Sequence, residues 1–155
     1  MQHCRSALGV TALNGIIFAV GGWGDSLHEE AEMLDPRQGK WISLPSMMKA
    51  RFGCGLAAID GLLYAAGGYG MQCLNSVLFS FQRFTRFLIC DVQVEVYDPR
   101  ACRWTTAQPL LKKRYDAGVT VFRDQVVVVG GCDENKMDLS SAEVIPRIQF
   151  YFDLI

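Results

Sequence analysis

RSALGVTALNGIIFAVGG, residues 5–22, returns as RFGCGLAAIDGLLYAAGG at 51–68 and as RYDAGVTVFRDQVVVVGG at 114–131. Arg5, Gly9, Gly15, Gly21 and Gly22 recur as Arg51, Gly55, Gly61, Gly67 and Gly68 at a constant offset of 46 residues. Arg114, Gly118, Gly130 and Gly131 follow the second copy by 63. A fixed period of this size marks an array of supersecondary units that bury their faces on one another. Each copy holds two short apolar runs joined by a two-residue turn: Asn14-Gly15, Asp60-Gly61 and, in the third, Asp124-Gln125. Asn-Gly and Asp-Gly between such runs signal hairpins, because both turn positions need positive φ. The runs are apolar at nearly every position, so each sheet needs cover on both faces, which neighbouring sheets supply.

A third run follows as AEMLD (31–35) and VEVYD (94–98), and a fourth surrounds Trp41 and Trp104. DPRQGKW (35–41) and DPRACRW (98–104) make the turn between them, proline fixing φ and aspartate accepting a backbone N–H. Each unit therefore reads as a four-stranded antiparallel sheet. The paired glycines Gly21 and Gly22, Gly67 and Gly68, Gly130 and Gly131 end the second strand where a side chain would obstruct a neighbouring backbone. Trp41 and Trp104 repeat with the scaffold and read as packing between sheets. Four-stranded sheets at this period, each covering the next, describe an all-β propeller.

The second copy is longer. Asp35 follows Gly22 by 13 residues, whereas Asp98 follows Gly68 by 30, an excess of seventeen. The excess reads as an insertion over 78–94, LFSFQRFTRFLICDVQV, in a loop on the blade rim. Its Phe79, Phe81, Phe84 and Phe87 read as a solubility liability. The organisation expected is repeat 1 over about 5–50, repeat 2 over about 51–113 with the insertion, a partial repeat 3 over about 114–144, and a divergent tail at 145–155.

RSALGVTALNGIIFAVGG and VEVYDPRACRW resemble the Kelch repeat, and the nearest resemblance is to the kelch-like adaptors. That resemblance implies a partial Kelch β-propeller with two blades and part of a third. It implies a protein-interaction module, the substrate-recognition part of a cullin-based ubiquitin ligase adaptor; a cytoskeletal, actin-binding scaffold is the alternative. The chain shows no BTB or BACK region, so cullin contact would come only through such regions elsewhere. The location implied is the cytoplasm, with the nucleus as the alternative. The matching pocket residues are Arg5, Ser6, Trp23, Arg51, Tyr69, Gln72, Arg114 and Tyr115. Guanidinium forks at Arg5, Arg51 and Arg114 would suit a carboxylate-bearing peptide. The competing reading is that the arginines recur because each satisfies backbone carbonyls of the scaffold.

Composition narrows the classes. Fifteen basic and sixteen acidic residues give a net charge of −1, so no nucleic-acid partner is expected. No apolar run reaches membrane-spanning length. Six cysteines carry no C-x-x-C pair and read as free thiols, Cys73 and Cys132 being the redox candidates. His3 and His28 form no ligand pair, and neither a metal nor another cofactor is expected. No Ser-His-Asp or phosphate-loop pattern is legible, so catalysis is not expected. An arc of blades would leave apolar faces open at both ends, and self-association through them is the further expectation.

Overall fold

The computed structural model describes residues 1–73 and 86–146, and every regular element among them is a strand. Strands β1 (Gly9–Leu13), β2 (Ile16–Val20), β3 (Ala31–Asp35) and β4 (Lys40–Leu44) form the first antiparallel sheet in chain order. The second sheet runs β6 (Gly55–Ile59), β7 (Leu62–Ala66), β10 (Val94–Asp98) and β11 (Arg103–Thr106). The third holds β12 (Gly118–Phe122), β13 (Gln125–Val129) and β14 (Ala142–Ile145). A small sheet joins β5 (Arg51–Phe52), β8 (Tyr69–Cys73) and β9 (Arg86–Cys90) in that order.

The three larger sheets are blades. β6 packs between β1 and β12, so the first strands lie together and the later strands fan outward. Alternation along β7 explains its continuous apolar run. Leu63 and Ala65 join Phe18, Val20 and Met47 in the core between blades one and two. Leu62, Tyr64 and Ala66 join Val126, Val128 and Ile145 in the core between blades two and three. Trp104 closes the first core, donating from Nε1 to Pro45 O at 2.8 Å. Trp41, its counterpart, is half-buried, with no blade among the described residues on its outer side. Asp35 and Asp98 each accept the N–H two residues on, from Arg37 and Arg100, as the Asp-Pro turns predict.

Three boundaries differ from the sequence reading. Phe122 pairs with Gln125, so the third hairpin turns at Arg123-Asp124, not Asp124-Gln125. Both residues hold positive φ, 47° and 56°, as Asn14-Gly15 does at 53° and 77°. Ile145 belongs to β14 and is buried in the core, so the divergent tail starts after it; residues 147–155 lie outside the described ones.

The insertion shifts as well. Trp23 bridges Leu27 in the first blade, and Tyr69 pairs with Cys90 in the second. His28 N–H then donates to Gly22 O, and Asp91 N–H donates to Gly68 O. Val94 opens the third strand against Ala66, as Ala31 does against Val20. Residues 91–94 therefore occupy scaffold positions, and the seventeen extra residues lie between Tyr69 and Cys90. Part of the insertion is strand, with β8 and β9 in register from Tyr69↔Cys90 to Cys73↔Arg86. Residues 74–85, with Phe79, Phe81 and Phe84, lie outside the described ones, and Phe87 pairs with Gln72 on the ladder.

Candidate functional site

The repeated arginines are consumed by the scaffold. Arg5 donates from Nη1 to Gly21 O at 3.1 Å and Glu30 O at 2.9 Å, and from Nη2 to the Glu32 carboxylate at 2.6 Å. Arg51 repeats the set with Gly67 O at 2.8 Å, Gln93 O at 3.0 Å and Glu95 at 2.5 Å. Arg114 does so with Gly130 O at 2.7 Å, Ser141 O at 3.0 Å and Glu143 at 2.7 Å. The arginine side chains are 1%, 0% and 0% exposed, which removes them from any pocket. A buried guanidinium needs a carboxylate and further acceptors, and each blade supplies both. Each glutamate also accepts the N–H three residues before its arginine, from Gln2, Met48 and Leu111. The pair thus fastens the incoming connector onto its blade. The fork for an acidic peptide proposed from sequence is absent, and with it the physical basis for an acidic partner.

What stays free is the residue after each arginine and the residue after each double glycine. Ser6 bridges Trp23, Phe52 pairs with Tyr69, and Tyr115 bridges Cys132, so one such pair caps each blade. Their rings meet across blades. Trp23 and Phe52 have centroids 5.9 Å apart, Phe52 and Tyr69 5.5 Å, and Tyr69 and Tyr115 5.2 Å, at tilted or edge-on angles that aromatic pairs favour. Trp23 is 40% exposed and the others are half-buried. The result is a continuous aromatic row over three blades. Asp25, Asp116 and Asp133 adjoin it in sequence.

Of the predicted residues, the structure brings together Ser6, Trp23, Tyr69 and Tyr115, and withdraws Arg5, Arg51 and Arg114. Gln72 lies two pairs further out on β8 than Gly70, opposite Phe87, and is placed by backbone alone. Phe52 was missed. The signal was present, since it stands 46 residues after Ser6 and 63 before Tyr115. The Cys132 thiol donates to the Asp138 carboxylate at 3.4 Å, and that bond leads the causes that raise its pKa. Such a thiol is protonated at neutral pH, contrary to a redox-sensing cysteine. Cys73 ends the β8–β9 ladder opposite Arg86. No group of three His, Cys, Asp or Glu among the described residues could hold a metal ion.

The Kelch motif matches residues 4–48, 50–78 and 113–145, most of the chain. This chain belongs to the Kelch-repeat family. Its Kelch blades are similar to spermatocyte protein spe-26 of Caenorhabditis elegans, 29% identical over 137 residues. That match covers 88% of this chain and 22% of the relative, so the Kelch arc spans about a fifth of that protein's length. The fold is similar to the solved structure of YjhT, with a TM-score of 0.74 at 13% identity, over 90% of this chain and 42% of that one.

Proposed function

We propose that this Kelch arc is a protein-recognition surface, and that within a longer adaptor it presents substrate to a cullin-based ubiquitin ligase. The observation that carries the recognition reading is the aromatic row from Trp23 to Tyr115, held by a scaffold that spends its own arginines internally. Rigid rings at the centre of a surface are the side chains that dominate protein interfaces. With the guanidinium groups buried, the segment that suits the row is extended and carries apolar side chains, with room for a cation beside the neighbouring aspartates.

F52S tests this, because it installs in the second blade the residue that the first already carries at Ser6. The substitution breaks the row at its middle and leaves the Arg51–Glu95 pair intact. A parent protein bearing this arc is captured from cells, wild type against F52S and W23A, and its bound proteins are compared. The proposal expects a cullin in all three captures and a set of partners lost from both variants. Identical partner sets would remove the row from recognition. Co-sedimentation with filamentous actin, lost in the same variants, would replace the ligase reading with the cytoskeletal one.

A further inference from the structure

Ala7, Gly53 and Asp116 each stand two residues before the first strand of a blade, β1, β6 or β12, and directly after the free positions Ser6, Phe52 and Tyr115. All three hold positive φ, at 48°, 62° and 52°. The backbone links them from blade to blade, Gly53 N–H donating to Ala7 O at 2.7 Å and Asp116 N–H to Gly53 O at 2.8 Å. Asp116 is the member of this set with a charge. Aspartate enters the left-handed region more readily than most side chains, so the position can carry a carboxylate without breaking the row of backbone contacts.

The Asp116 side chain uses the room that Gly53 leaves. A Cβ on Gly53 would lie 2.5 Å from Asp116 Oδ1 and 3.3 Å from Asp116 Cγ. The carboxylate therefore lies over the Gly53 backbone, reaching from the third blade to the second, and its seat is bounded by two blades of this arc. Phe52 precedes the residue it covers and Tyr115 the residue that carries it, which sets it beside the Phe52, Tyr69 and Tyr115 rings. Burial leads the causes that push the Tyr115 hydroxyl up, and the negative charge of Asp116 adds to it. Nearby acids are already matched. Asp133 accepts the N–H groups of Asn135 and Met137, Asp138 accepts the Cys132 thiol, and Glu134 pairs with Lys113. The neighbouring Arg114 is held by Glu143. Among the described residues, the Asp116 carboxylate has no hydrogen-bond or ion-pair partner.

We infer that Asp116 sets the specificity of the aromatic row by taking one basic side chain of an extended partner segment against its carboxylate and the Tyr69 and Tyr115 rings. This rests on the recognition reading of the row and adds the chemistry of one partner residue. An anion fixed beside rings is complemented by a cation that lies on the rings and donates to the anion. Arginine fits this better than lysine, because a planar guanidinium stacks on a ring and forks to a carboxylate at once. The partner's charge is thus the reverse of the one that the repeated arginines suggest.

A random heptapeptide library displayed on phage, selected on a parent protein bearing this arc and on its D116N and F52S forms, tests the anchor. Asparagine tolerates the left-handed backbone, so D116N removes the charge alone; D116G, which matches Gly53, serves if D116N fails to fold. Wild type should select peptides with arginine or lysine at one fixed position. A synthetic copy of the leading peptide should bind D116N about fivefold more weakly than wild type, the size of a partly exposed ion pair. Its glutamine-substituted form should bind both proteins alike. Peptides that F52S loses but that carry no fixed basic position, or that bind D116N as tightly as wild type, overturn the inference and leave the row as a recognition surface. A selection that F52S leaves unchanged removes the row from recognition and the anchor with it.

Discussion

Replacing Arg51 by methionine keeps a side chain of similar length in the second blade and removes every donor that its guanidinium supplies. The carbonyl of Gly67 loses its partner, that of Gln93 keeps only the Gly67 N–H at 3.1 Å, and the Glu95 carboxylate, whose side chain is as fully buried as that of Arg51, loses its ion pair. Glu95 retains only the N–H of Met48. Removing one member of a buried ion pair costs about 3–5 kcal/mol. The orphaned Gly67 carbonyl adds on the order of 1 kcal/mol. Set against a total stability of about 5–15 kcal/mol for a domain, R51M removes most of it. Replacing the whole pair by apolar residues is close to neutral, so R51M/E95L should recover the larger part, less the cost of the Gly67 carbonyl and Met48 N–H. Urea titrations of wild type, R51M, E95L and R51M/E95L, followed by tryptophan fluorescence, form a double-mutant cycle that isolates the coupling. An R51M midpoint equal to wild type, with partner binding lost, would refute this reasoning and return Arg51 to the contact surface.

Gly67 and Gly39 share a positive φ of 65° and 64° but differ in surroundings. G67A drives a methyl group to 2.4 Å from Arg114 O and should cost about 3 kcal/mol or more, while G39A, with nothing within 4 Å, should cost about 1 kcal/mol; equal thermal shifts would contradict the close-approach argument. Two deletions of equal length should diverge. Removing 73–89 restores the five-residue loop of the first blade and should fold, whereas removing 78–94 takes out Asp91, Gln93 and the first residue of β10 and should not; proteolytic resistance separates them. For Glu143, burial alone would raise the pKa, but the N–H groups of Leu111 and Lys112 and the Arg114 guanidinium hold it below its ordinary value of 4.5. A depressed folded-state pKa gives stability that is present above the unfolded value and lost as pH falls through the folded one, so E143Q should flatten the acid limb of the stability curve; an unchanged slope below pH 4.5 would count against it.

The blades were legible because period, turn chemistry and apolar runs agree with one another at every copy. Where one of those signals was missing, the reading slipped. Arg123-Asp124 has no glycine, so Asp124-Gln125 looked equally good, and only the pairing of Phe122 with Gln125 fixes the turn. The insertion could be sized from the period but not placed, because a constant offset says how many residues are extra and not where the hydrogen bonds resume. The arginines stayed open between pocket and scaffold for a physical reason. Repetition shows that a position is constrained, and a buried guanidinium is as constrained as a contact. The missing clue was a second repeat: Glu32, Glu95 and Glu143 each interrupt an otherwise apolar third strand at its second position. A charge that recurs inside a buried strand requires a partner of opposite sign, and only the arginines recur with it.

That pairing also explains why the aromatic row can exist. Arginine points under the loops to its glutamate, and the next residue, by strand alternation, faces the other way. The first position is therefore tied to the fold and the second is free of it, which is why Ser6, Phe52 and Tyr115 differ in size while Arg5, Arg51 and Arg114 do not. The same division holds after each double glycine, where Trp23, Tyr69 and Cys132 differ. The extra residues of the second blade enter at this free position, between Tyr69 and Cys90, by lengthening a bridge that the first blade makes once into a five-pair ladder. The β8–β9 ladder built there crosses no hydrogen bond of the arginine set. F52S should accordingly leave the urea midpoint within about 1 kcal/mol of wild type, an effect expected of a half-buried position outside the scaffold pair, whereas R51M one residue away should not. Comparable losses from the two would mean that row and scaffold are one structure, and that recognition in this arc cannot vary without the fold.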